Sequence, residues 1–178
     1  MKHVLKILLR AQGFIIAAFA LFSPIYAIFV ERIGGGILAA SGSVAAYSIA
    51  TGLMIYIISR WEDHVKHLEK MIRIGYALSA LGFLGYIFVQ NITQFIIIQV
   101  LLGLSVAIRA PALDTLYSRH IDHKKSASEW GDWETMVYIV SALAALIGGY
   151  IAKTFGFNTL FMIMFVFSVL SFFFSGKK

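Results

Sequence analysis

The chain contains no cysteine, which excludes disulfides, thiolate metal sites and thiol redox chemistry. Proline is scarce, with Pro24 and Pro111 the two instances, so few breakers interrupt the apolar stretches. Charge is scarce too, at 13% of residues, while 60% are hydrophobic. A soluble domain of 178 residues has no interior large enough to hide that much apolar surface. Lipid must therefore be the solvent for the outer face, and the expected fold class is an all-α membrane protein. The net charge of +6 does not point to nucleic acid, because membrane topology accounts for where the basic residues sit. None of the five histidines falls inside an apolar stretch, and no metalloprotease motif is present. An intramembrane serine hydrolase would need a histidine base beside its serine, so Ser41 and Ser43 do not read as nucleophiles, and no enzyme is expected.

Six apolar stretches occupy residues 7–30, 37–59, 71–89, 92–117, 134–152 and 155–175. Each is about as long as a helix needs to cross roughly 30 Å of hydrocarbon at about 1.5 Å per residue. They form a single membrane domain over residues 1–178. The start has a basic region, an apolar run and the small-x-small triplet Ala18-Phe19-Ala20. The run continues to Val30 with no polar cleavage region, so it reads as an uncleaved first helix rather than a signal peptide.

Thirteen of the fifteen basic residues flank alternate connections or the termini, leaving Arg32 and Lys153 for the other side. Basic residues stay cytoplasmic during insertion, so both termini are expected inside, in a multi-pass protein of the cell (inner) membrane. The outer connections are short, which makes successive helices antiparallel neighbours. The segment from Ser118 to Trp133 is the longest polar run and divides the chain into three helices plus three. A structural repeat of inverted topology needs only matching hydropathy in the two halves.

The second stretch carries Gly42, Ala46 and Ala50 at four-residue spacing, with Ser43, Tyr47 and Thr51 alongside, and the third carries Gly75, Ser79, Gly82 and Gly85. Small-residue stripes let helix backbones approach closely. The sixth is rich in phenylalanine with Ser168 and Ser171 as its polar groups, a composition that suits a lipid-facing helix. The fourth is the polar one, with Gln99, Ser105, Arg109 and Asp114. An ionised group inside a bilayer costs about 2.5–3.5 kcal/mol on the mildest scale, so it should face the bundle interior or a wet cavity. Arg109 also stands close enough to the inner end to snorkel toward the interface. Arg109 and Asp114 fit two readings: a charged pair lining a cavity that binds an anionic group, or a structural ion pair with Glu134 or Asp132.

Further hydrogen-bonding candidates are Gln12, Ser23 and Tyr26 on the first helix and Tyr138 and Ser141 on the fifth, beside Gln99 and Ser105. Each serves equally as an interhelical hydrogen bond. Pro24 lies within the helix-one set and permits a kink there. The pairs His64/His67 and His120/His123 lie on inner loops near Asp63 and Asp122. Spacing alone does not make them metal ligands, and neither metal nor cofactor is expected. Trp61, Trp130 and Trp133 read as interfacial anchors. Gly34-Gly35-Gly36 reads as a turn, since no strand precedes it.

The stretch Gly103-Leu-Ser-Val-Ala-Ile-Arg-Ala-Pro111, the loop Asp122-His-Lys-Lys125, and Gly148-Gly149 leading through Gly156 to Phe161 resemble helices four to six of a major facilitator superfamily transporter. In hydropathy the resemblance spans the whole chain and implies one six-helix half of that fold. The family's loop after helix two reads Gly-x-x-x-Asp-Arg. Here it reads Ser59-x-x-x-Asp63-His64, which carries the conformational-switch role to Asp63 alone. Another signature places an arginine four residues before a helix-four glycine. With Gly103 as that glycine, Gln99 holds the position, a departure that bears on the proton coupling of the family's drug antiporters. The resemblance implies that helices one and four line a central cavity, and that a small solute moves through it by alternating access. The family normally has twelve helices in two parallel halves, so two copies of this chain could rebuild the architecture as a homodimer. A separate partner half, a fragment of a longer transporter, or a non-transporting assembly partner or regulator are the alternatives.

Overall fold

A computed structural model describes residues 3–62, 64–65, 67–122 and 124–176. Among them the chain is helical apart from short connections. The elements are α1 (His3–Phe22), a 3-10 turn (Ser23–Ile25), α2 (Tyr26–Arg32), α3 (Ile37–Glu62), α4 (Leu68–Tyr86), α5 (Ile92–His120), α6 (Ser126–Phe155) and α7 (Phe157–Phe174). With α1 and α2 as one kinked rod, these are the six expected spans. The kink falls at Pro24, which supplies no backbone N–H to the helix ladder. Five rods are long and apolar enough to cross a membrane. The remaining one, α4, starts with Glu69, Lys70 and Arg73 in its first two turns.

Turn chemistry sets several ends. Gly34 at φ 86° follows α2, and Gly156 at φ 84° joins α6 to α7; both backbones are left-handed, where a Cβ would clash. The Asn91 side chain accepts from Gln94 N at 3.0 Å and caps α5. The polar run 118–133 is not the long connection expected from its composition. Helix α5 continues to His120 and α6 begins at Ser126, so most of the run is helix. Glu129 explains the early start: its carboxylate accepts from Asp122 N at 2.8 Å, and its carbonyl accepts from Tyr117 Oη at 2.5 Å. Trp130 and Trp133 pack their rings on Tyr117 at 4.9 and 4.7 Å and brace this corner. Trp61 is exposed at the end of α3.

Packing is symmetric. Helix α4 lies along α5, and α7 lies along α1; α3 lies along α5, and α6 along α1; α4 and α7 meet each other. Exchanging the first three spans with the last three reproduces this pattern, and the two sets run in opposite directions. That is an inverted-topology repeat. It leaves α3 and α6 at the two ends of the arrangement.

The sixth span is not the lipid-facing helix its composition suggested. Phe157, Leu160, Phe161, Met164, Ser168 and Ser171 of α7 are buried against α1 and α4. The Ser168 hydroxyl donates to the Tyr76 carbonyl at 2.8 Å, and Phe161 joins Phe22, Phe29 and Tyr86 in a ring cluster. Aromatic side chains find better-matched partners in one another than in lipid.

The α4 glycines behave as expected. A Cβ on Gly75 would fall 2.7 Å from the Ser105 carbonyl oxygen, and one on Gly82 would fall 2.5 Å from Leu102 Cδ2. On α3 the close approach uses the Ser43, Tyr47 and Thr51 row, with Gly103 of α5 seated on the Tyr47 carbonyl; Gly42 faces open space. Gly148 of α6 sits on the Leu21 carbonyl, with no room for a methyl, whereas nothing lies within 4 Å of a Cβ on Gly149. Overpacking against backbone costs about 1–3 kcal/mol. Gly148→Ala should therefore lower the thermal midpoint in detergent by several degrees while Gly149→Ala leaves it unchanged or slightly raised, as read by thermal-shift chromatography.

Candidate functional site

A cavity of about 660 Å³ lies between α1 and α5, flanked by α3 and α6. Its walls are apolar, with Ile15, Phe19, Val44, Phe83, Ala145 and Met164 among them. Polar groups gather at its two ends, Gln99 and Arg109 being ten positions apart on α5, or about 15 Å of helix.

At the end of the bundle that carries the chain termini, three helices contribute one side chain each. Gln12 Oε1 accepts from Arg109 Nη1 at 2.8 Å and from Tyr76 Oη at 3.3 Å. The Arg109 guanidinium lies 5.2 Å from the centre of the Tyr76 ring. Arg109 is 5% exposed, and its Nε is enclosed with no acceptor. It does not snorkel. Gly75 is the local reason, since a Cβ there would fall 2.5 Å from Arg109 Cβ. The missing side chain on α4 lets the arginine stem enter the bundle and brings the neighbouring Tyr76 under its charge. A cation–π contact of this kind contributes about 0.5–2 kcal/mol, which offsets part of the cost of burying the charge.

At the opposite end Gln99 is the hub. Its Oε1 accepts from Tyr86 Oη at 2.8 Å, and its Nε2 donates to Tyr26 Oη. Tyr26 Oη is also 2.6 Å from Ser43 Oγ. Four segments (α2, α3, α4 and α5) thus meet through one amide. Tyr26 reaches it because the 3-10 turn at Pro24 redirects the chain just before that residue.

Gln12, Tyr26, Gln99 and Arg109 therefore line the cavity, together with Ser23 and Ser141. Three expected site residues do not. Ser105 is fully buried between α4 and α5, 2.8 Å from Ser79 Oγ. Asp114 lines a separate hollow with Thr115, Ser118 and Arg119. Tyr138 is 71% exposed on α6. Among the described residues Arg109 and Asp114 make no direct ion pair, five positions apart on α5, although their charges still act on each other. Asp63, the switch-loop candidate, lies outside the described residues, as does His123. Among the described residues no three metal-ligating side chains converge. His64 Nδ1 instead lies 3.2 Å from the Arg60 carbonyl, and His120 Nδ1 2.8 Å from the Leu116 carbonyl.

Tyr76 and Tyr86 were missed by sequence reasoning. Each directly follows a glycine that packs against α5, Gly75 and Gly85. A polar ring beside a helix-contact glycine is the signal that would have found them.

The sequence profile of the Major Facilitator Superfamily matches residues 8–176. The multi-drug resistance efflux pump PmrA of Streptococcus pneumoniae is 29% identical over 153 residues, which cover 83% of this chain and 38% of the pump. The uncharacterized MFS-type transporter YitZ of Bacillus subtilis is 26% identical over 156 residues, covering 87% of this chain and 92% of that protein. With the profile matched along nearly all its length, and a six-helix bundle of inverted repeats around a central cavity, this multi-pass membrane chain belongs to the Major Facilitator Superfamily.

Proposed function

We propose that the chain is a transporter that moves a small solute by alternating access, with a second six-helix unit completing the pathway. The observation that carries this reading is the cavity itself. It is apolar along its walls, polar at both ends, and flanked by α3 and α6. A solute there would be passed between two polar stations about 15 Å apart along α5.

The exposed faces of α3 and α6 support a second unit. Ser41, Ala45, Ser48 and Gly52 are exposed in one row of α3, beside Val44 of the cavity wall. On α6, Ala142, Ala145 and Gly149 run along the opposite rim. Small residues on both rims suit close helix approach. A two-fold axis along the membrane normal would set α3 of one copy against α6 of the other. The simplest second unit is another copy of this chain, and the match to YitZ over 92% of that relative's length supports a six-helix unit of this size. The basic residues clustered at the end bearing both termini support cytoplasmic termini in the cell (inner) membrane.

Ser48 lies about 17 Å from the start of α3, and Ala142 about 20 Å from the end of α6, so the two sit at similar depth. The chain lacks cysteine, so Ser48→Cys combined with Ala142→Cys reports cleanly. Oxidation should yield a covalent dimer from the double variant and far less from either single one. A strictly monomeric species by native mass spectrometry, with no crosslink, overturns the homodimer; co-purification of a different six-helix chain identifies a partner half.

Transport itself is read in proteoliposomes. Arg109→Ala and Gln99→Ala should each reduce uptake by about tenfold or more, the scale of losing a charge-assisted hydrogen bond, while chromatographic behaviour and dimer content persist. Absence of flux with every gradient and solute class tried would leave a non-transporting membrane role.

A further inference from the structure

We infer that the cavity accepts an organic monoanion with an apolar body, whose carboxylate sits against Arg109 and Gln12. This rests on the cavity being the solute site, and it names the class of solute.

Arg109 is the one charged side chain among the described lining residues, and no carboxylate joins it there. A guanidinium carries five N–H donors. One reaches the Gln12 amide oxygen, a neutral acceptor, and the Nε–H reaches none. Buried cations are normally paired, because an isolated charge in a medium of low dielectric costs several kcal/mol. The Tyr76 ring returns only part of that. A carboxylate entering the cavity supplies a negative charge in direct contact, which Asp114 at a distance does not, and its two oxygens match the fork of a guanidinium.

The rest of the cavity selects the body. Ile15, Phe19, Phe83, Ala145 and Met164 offer aliphatic and aromatic walls, with Gln99 and Tyr26 as neutral hydrogen-bonding groups beyond them. A volume of about 660 Å³ is suited to a molecule of one to a few rings. A cationic solute of the same shape would meet Arg109 within a lining that holds no carboxylate. A small inorganic anion would leave the apolar walls unfilled.

Equilibrium dialysis of the purified protein in lipid nanodiscs tests this with three probes of one shape: 2-naphthoate, neutral 2-naphthamide and 2-naphthylmethylammonium. Naphthoate should bind about tenfold more tightly than the amide, and the ammonium more weakly still, as one charge-assisted pair predicts. Arg109→Gln should bring naphthoate to within about twofold of the amide, and Arg109→Lys should restore part of the preference, since ammonium keeps the charge without the fork. Ala145→Trp, which fills the apolar wall, should lower naphthoate binding by about tenfold with the thermal midpoint retained. The wild-type ranking needs no variant to fold. Equal binding of carboxylate and amide, or a preference that survives Arg109→Gln or Ala145→Trp, overturns the inference. Because binding is read without flux, a protein that prefers naphthoate yet moves nothing refutes transport alone, and one that moves solute without the preference refutes the anion assignment alone.

Discussion

Where α4 crosses α5, hydrogen atoms stand in place of side chains. Gly75, Gly82 and Gly85 bring the two backbones together, and Ser79 meets Ser105 across the same seam. In lipid there is little hydrophobic force between helices, so association depends on this kind of close packing and on interhelical hydrogen bonds. The seam also positions the chemistry. Arg109 enters the bundle where Gly75 leaves space, and the two α4 tyrosines next to the contact glycines hold Gln12 and Gln99 in place. One device, the absent side chain, serves both stability and the polar ends of the cavity.

The inverted repeat extends this logic. Both α4 and its counterpart α7 are central, and each packs along the first helix of the opposite half. The counterparts α3 and α6 are left at the margins with most of their surfaces uncovered. Both margins contribute to the cavity wall. An architecture in which a second unit adds against α3 and α6 needs no change in the packing of the first.

Polar groups inside the bundle are few, and most are satisfied by one another. Gln99 uses both its oxygen and its nitrogen, and Gln12 accepts twice. Arg109 is an exception: a buried charge held by a neutral amide and a ring face. Structural needs alone do not ask for a cation at that place, because an apolar residue of similar volume would avoid its desolvation cost.

Composition and the spacing of basic residues determined the class, the number of spans and the shared end of the termini. Those features follow from bilayer thickness and insertion, which act on each segment separately. The candidate site was half legible. Gln12, Tyr26, Gln99 and Arg109 stood out because a polar group in an apolar run must turn inward, and the structure brings them to one cavity. Asp114, Ser105 and Tyr138 carried the same signal and went elsewhere, because composition does not say which side of a helix meets which neighbour. The aromatic α7 was misread for the same reason: phenylalanine is equally at home in lipid and in a ring cluster, and only the position of α7 between α1 and α4 chose between them. The polar run 118–133 became helix because Glu129 and Tyr117 lock its corner, a contact between residues twelve apart that no local pattern contains. Sequence settled what each helix would tolerate around it; tertiary packing decided which of the tolerated surroundings each face received.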